Sequence, residues 1–142
     1  MPALRSHTYD ASGLFEALGT KTAANAGAIV DLGGTGETAF EVLMDVTTCA
    51  VDGGDEAYTF NVFVSNDPLV TGGSTYHLIG SFSCGDAAVL LGDADIVSGR
   101  FRLGLSNVVN GVGYRYVQCN LAVVGATVSI NYQTYMVKPQ AV

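Results

Sequence analysis

Charged residues make up only 13% of this 142-residue chain and hydrophobic ones 49%, where an ordinary soluble domain carries roughly 25% charge. Only six residues are basic (Arg5, Lys21, Arg100, Arg102, Arg115 and Lys138), they are scattered, and the net charge is −7. Without a basic patch there is nothing to displace counterions from a phosphate backbone, so neither nucleic acid nor an anionic membrane is expected as a partner. Long hydrophobic runs are also missing, since no stretch approaches the ~20 apolar residues of a spanning helix. Cysteine is sparse: Cys49, Cys84 and Cys119 are odd in number and widely spaced, which excludes a disulfide framework or a CxxC metal site and leaves free thiols in a reducing cytoplasm as the expectation. No basic segment followed by an apolar one opens the chain, and no Asn-x-Ser/Thr acceptor occurs, so nothing marks it for secretion. A surface this poor in charge is expected to be covered by something.

The apolar residues that are present come in short alternating pieces. Tyr58, Phe60, Val62 and Val64 interleave with Thr59, Asn61, Phe63 and Ser65, a period of two that puts one set on each face of a strand. Phe40, Val42, Met44 and Val46 alternate in the same way against Glu41 and Asp45, with Leu43 breaking the outward row. Strands are also expected over Ala28 to Leu32, Tyr76 to Ser83 (Tyr76, Leu78 and Phe82 on one face), Phe101 to Leu105, Val117 to Val123 and Val128 to Met136, with Ala87 to Leu91 a weaker eighth. Glycine-rich connections and the lack of a long helix exclude a parallel α/β sheet. The expected fold is an all-β antiparallel jelly roll or β-sandwich of about eight strands, one domain over residues 28–142. Residues 1–27 read as an irregular arm in which Leu14, Phe15 and Leu18 fit one or two helical turns ended by Gly19; either this triplet docks the arm or the segment is a loose terminus.

Reactive constellations are hard to find. Two histidines, His7 in the arm and His77 on the outward parity of its strand, are too few for a jelly-roll metal centre. "DLGGTGET" lacks the Gly-Lys-Ser/Thr ending of a phosphate loop and reads as a tight hairpin turn. Asp52, Asp55 and Glu56, and again Asp86, Asp93 and Asp95, could offer oxygens to calcium, but the EF-hand spacing is absent and solvated loops are the simpler account. No Gly-x-Ser-x-Gly elbow occurs, and Cys119 shares the inward parity of Val117 and Leu121, which makes it a buried, inert thiol. No enzyme and no cofactor is expected.

The segment order "AANAGAIVDLG", "TAFEVLMDVTT", "YTFNVFVSNDPLVTGGSTYHLIGSFS" and "GYRYVQCNLAVVGATVSINYQTYMV" resembles the capsid cement (decoration) proteins of short-tailed bacteriophages of the Bordetella-phage type. Val30, Asp31, Leu32 and Gly33 match its Ile/Val-Asp-Leu-Gly element. Ser65, Asn66 and Asp67 match its turn, and Arg115, Tyr116, Val117 and Asn120 match its late strand. The chain departs in carrying Arg5 to Tyr9 ahead of the leucine-containing segment. The resemblance implies a virion protein made in the host bacterial cytoplasm. It would sit on the outer capsid surface as a homodimer or homotrimer and bridge neighbouring copies of the major capsid protein, with no catalytic residue. Interface cores are depleted in charge and enriched in tyrosine, so Tyr114, Tyr116 and Tyr135, with Leu14, Phe15 and Leu18 of the arm, are the expected contact residues. The alternative is a calcium- or carbohydrate-binding jelly-roll module on the virion surface.

Overall fold

A computed structural model describes residues 13–73 and 75–137. The alternating segments become strands: β1 (Leu14–Lys21), β2 (Asn25–Asp31), β3 (Ala39–Cys49), β4 (Ala57–Ser65), β5 (His77–Gly85), β6 (Gly99–Ser106), the two short strands β7 (Val108–Val109) and β8 (Val112–Gly113), β9 (Tyr116–Val124) and β10 (Ile130–Val137). Eight of them form two antiparallel sheets of four, in the orders β1-β10-β3-β6 and β2-β9-β4-β5. Successive strands alternate between the sheets from β1 to β4. The edge strands meet in pairs, β1 against β2 and β5 against β6, so each sheet edge is covered by its partner layer. This is the jelly-roll sandwich that the period-two pattern predicts.

One apolar core fills the space between the sheets. Tyr58, Phe60, Val62 and Val64 of β4 face Val42, Met44, Ile130 and Tyr132 of the other sheet, all buried, and the Phe60 and Tyr132 rings meet edge to face at 5.2 Å. Each side chain of this size contributes about 1.5–3 kcal/mol by leaving water. Close approach of backbone is built in at Gly80 of β5, where a Cβ would stand 2.9 Å from Leu105 of β6.

The expected arm is not one over its described part. Leu14 to Lys21 is the edge strand beside β10, and the proposed boundary at residue 27 runs through β2. Register shifts between Leu14 and Glu16 and between Glu16 and Gly19 disturb the period of two, which is why the apolar spacing imitated a helix. Residues 1–12 lie outside the described residues. Ala87 to Leu91, expected as a strand, is instead the one-turn helix α1 (Ala87–Leu90), because the Asp86 carboxylate accepts from the Ala88 N–H at 2.8 Å and Leu91 turns left-handed (φ +59°). The "DLGGTGET" segment turns at Gly33 (φ +92°) but joins β2 to β3 in opposite sheets, so it is a crossing rather than a hairpin. Tyr76, Leu78 and Phe82 do not share a face either. Leu78 pairs with Phe63 and Gly80 with Val62, so Ile79 is an extra residue that reverses parity; Leu78 points out and Phe82 in.

Candidate functional site

The strand alternation sorts the connections onto two ends. One end gathers the links β1–β2, β3–β4, β5–β6 and β9–β10; the other gathers β2–β3, β4–β5 and the β6–β9 segment that holds β7 and β8. Each end is tied together by one fully buried polar side chain.

At the first end this is Glu56. Its carboxylate accepts from the Gly53 N–H (3.0 and 3.2 Å), the Thr127 hydroxyl (2.7 Å) and the Thr127 N–H (3.4 Å), joining the β3–β4 and β9–β10 loops. The Thr127 hydroxyl bond outweighs burial and holds the carboxyl below its ordinary range. Gly125 (φ +118°) passes so close that a Cβ there would meet Glu56 Cα at 2.8 Å. Beside it the Tyr58 hydroxyl donates to the Ala50 carbonyl at 2.8 Å and accepts from the Ser129 N–H at 3.0 Å. The calcium reading of this loop therefore loses its central ligand, and Asp86 and Asp95 likewise hold the backbone N–H groups of Ala88 and Ala87. No group of three His, Cys, Asp or Glu residues that could hold a metal occurs among the described residues.

At the second end the hub is Asn107. Its Oδ1 accepts from the Thr38 N–H (2.7 Å), and its Nδ2 donates to the carbonyls of Gly36 (2.9 Å) and Tyr114 (2.8 Å). Asn66 extends the lattice by accepting from the Arg115 N–H (3.0 Å) and donating to the Gly113 carbonyl (3.2 Å). Arg115 makes a two-pronged pair with Asp31 (2.7 and 3.0 Å), lies 5.4 Å from the Tyr116 ring centre, and lowers the Asp31 pKa. The β4–β5 loop folds over the outer face of its own sheet. There the Thr71 hydroxyl donates to Gln118 (2.7 Å), and Val70 is buried in a left-handed conformation (φ +47°) rare for a β-branched residue.

This rigid loop system displays apolar surface. Tyr76 (44% exposed) packs edge to face on Phe63 at 5.4 Å, Leu78 (56% exposed) stands opposite Phe63 in the strand register, and Leu69 (60% exposed) projects from the covering loop. None of these four was singled out for contact in the sequence; the alternation of β4 with Phe63 at an outward position was the available signal.

The six sequence-predicted contact residues do not come together. Phe15 is buried in the main core, and Tyr135 is buried with Leu43 and Val137 in a second apolar cluster on the outer side of β3 and β10, against which Leu14 packs. As packing residues, Phe15 and Tyr135 are corrected from contact to structural roles. Tyr114 is half-buried, its hydroxyl 3.0 Å from His77 Nε2, and Tyr116 is half-buried beside Arg115. Leu18 alone is widely exposed, at 59%. His77, read as outward, thus has a tyrosine partner. No helix among the described residues is long and apolar enough to cross a membrane.

No family model and no curated protein matches the chain. Among solved structures it is similar to the Clostridium thermocellum N-terminal endo-1,4-beta-D-xylanase 10B, CBM22-1-GH10 modules, complexed with xylohexaose. The likeness is 11% identity and a TM-score of 0.38, over 96% of this chain and 28% of that one, so the chain spans less than a third of that protein's length. A likeness at this level carries no functional information.

Proposed function

We propose that the protein is a capsid cement protein that binds the outside of an icosahedral phage head, bridges neighbouring major capsid subunits and associates with sister copies as a homodimer or homotrimer. The observation that carries this reading is the exposed apolar group Tyr76, Leu78 and Leu69, set around the half-buried Phe63 on strands β4 and β5 and on the loop between them, which internal hydrogen bonds hold in place. A preordered apolar surface loses little entropy on docking, which suits a permanent partner. The segment order that resembles the cement family and the scarcity of charge support it from the sequence side. Each contact need bury only about 800 Å² per partner, because an oligomer touching several shell subunits multiplies its effective affinity.

The test is co-sedimentation with phage heads stripped of cement. The wild type is expected to pellet with the heads and raise their melting temperature, while Tyr76→Ala/Leu78→Ser loses most of the binding. Wild-type protein that stays in the supernatant overturns the proposal. The alternative, a glycan-binding module, draws on the exposed Tyr76 ring as a stacking platform. Calorimetric glycan binding that Tyr76→Ala abolishes, together with indifference to heads, would favour it.

A further inference from the structure

Cys49 ends β3 in one sheet and Cys84 stands one residue before the end of β5 in the other, yet both are buried in one core. The segment after α1 brings them together. Gly85 and Ile96 exchange both hydrogen bonds of an antiparallel bridge (2.8 and 2.9 Å), and Val97 accepts from the Cys49 N–H at 3.0 Å. Cys49 Sγ itself lies 3.5 Å from the Ile96 carbonyl oxygen. Tyr58, opposite Cys84 in the β4–β5 register, donates its hydroxyl to the carbonyl of Ala50, the residue after Cys49. Within this enclosure the two buried thiols face the same core from either flank of the Ile96–Val97 segment, close enough to influence each other. Cys119 belongs to a different part of the core, on β9, where burial pushes its thiol up to about 12.

We propose that Cys49 and Cys84 are a redox pair that closes into a reversible disulfide across the two sheets when the protein meets a small oxidised disulfide such as oxidised glutathione. Roles follow from the environment. The neighbouring Cys84 thiol lowers the Cys49 pKa, while Cys49 and burial raise that of Cys84. Local opening of the Ile96 segment admits the oxidant. The Cys49 thiolate attacks one sulfur of the small disulfide, whose S–S bond breaks and releases one thiol. Cys84 then gives up its proton and attacks Cys49 Sγ, forming the Sγ–Sγ bond and expelling the second thiol. The protein loses two protons and two electrons, and the small disulfide gains them. The cross-link ties the sheets beside the Glu56 end and goes beyond the cement reading, since it needs no partner.

The experiment incubates the folded, fully reduced protein with oxidised glutathione at pH 8, then denatures it, caps free thiols with N-ethylmaleimide and measures intact mass and peptide linkage. The expected product carries one maleimide, on Cys119, and a Cys49–Cys84 linked peptide. It melts higher than the reduced form, by at most about 12 °C from loop-closure entropy, and a reducing thiol reverses the shift. Cys84→Ser is expected to stop at a glutathione adduct on Cys49 with no rise in melting temperature. Three maleimides after prolonged oxidation, a stable glutathione adduct on the wild type, or linkage to Cys119 would each overturn the proposal.

Discussion

At one end of the sandwich a carboxylate is sealed among backbone and hydroxyl donors in four hydrogen bonds; at the other a neutral carboxamide joins the loops through three. Both hubs are fully buried, so both must be satisfied or cost stability. They differ in what disturbs them. A carboxamide is indifferent to pH, whereas the Glu56 lattice exists in this form only while the carboxyl is ionised. The end that displays Tyr76, Leu78 and Leu69 is therefore the one held by the pH-independent hub, and the end holding the thiol pair is the one that acid loosens.

Breaking the neutral hub is expected to have the largest effect. Asn107→Ala removes the hydrogen bonds to the Thr38 N–H and to the Gly36 and Tyr114 carbonyls at once, with a cost of about 3 kcal/mol at any pH, since each lost bond costs ~1 kcal/mol. Denaturant titrations at pH 5 and pH 8 check it; equal losses are expected, and a loss confined to one pH would show that the hub is coupled to a titrating group.

Glu56→Gln keeps an acceptor toward Thr127 and Gly53 but removes the charge, so its loss at pH 7 is expected to be smaller than that of Asn107→Ala. The comparison lies in the pH profile. The folded Glu56 carboxyl titrates below its ordinary value of 4.5, so its stabilisation is present above that value and disappears as pH falls through the lower folded one. Wild-type melting temperature is expected to fall as pH drops below about 5, and Glu56→Gln to flatten that fall. A residual slope belongs to Asp31 and Asp45, whose pKa values Arg115 and Arg100 also depress. An unchanged slope in the variant would remove Glu56 as the acid-sensitive group.

A still smaller effect is expected at the ion pairs. Arg100 grips Asp45 at 2.6 and 2.9 Å on the outer side of β3 and β6, with Gln133 adding a bond at 3.1 Å. The guanidinium is half exposed, so water and salt screen it. Arg100→Met is expected to cost about 0.5–1 kcal/mol at low salt and less at 0.5 M, measured by denaturant unfolding at both.

How far the sequence reached depended on whether the signal was local. β4 and β9, and β3 from Phe40 to Val46 ahead of its bulge at Thr47, were legible because alternate residues there are buried, and burial of alternate residues is a local rule. β1 and β5 misled because one extra residue at a bulge reverses parity, and nothing in Leu14 to Gly19 or Tyr76 to Phe82 announces it. Leu43 did announce something: an apolar residue at an outward position marked the second cluster in which Tyr135 is buried. Asn107 was invisible, since its partners arrive from two separate stretches of chain, Gly36 to Thr38 and Tyr114. The tyrosines were chosen by composition, which says that tyrosine suits interfaces but not which tyrosines the fold leaves uncovered.

The smallest expected change in stability carries the most functional weight. Leu78 is 56% exposed and faces solvent beside Phe63, so Leu78→Ser removes little buried area and is expected to shift unfolding by no more than about 0.5 kcal/mol. Leu105, half-buried against the core from β6, is its control, because Leu105→Ser at the mouth of the Gly80 contact opens a void and is expected to cost about 2 kcal/mol. If the apolar end is a docking surface, the first variant keeps its fold and loses binding, and the second keeps its binding in proportion to the folded fraction. Equal binding by wild type and Leu78→Ser would leave that end with no more part in recognition than the opposite one.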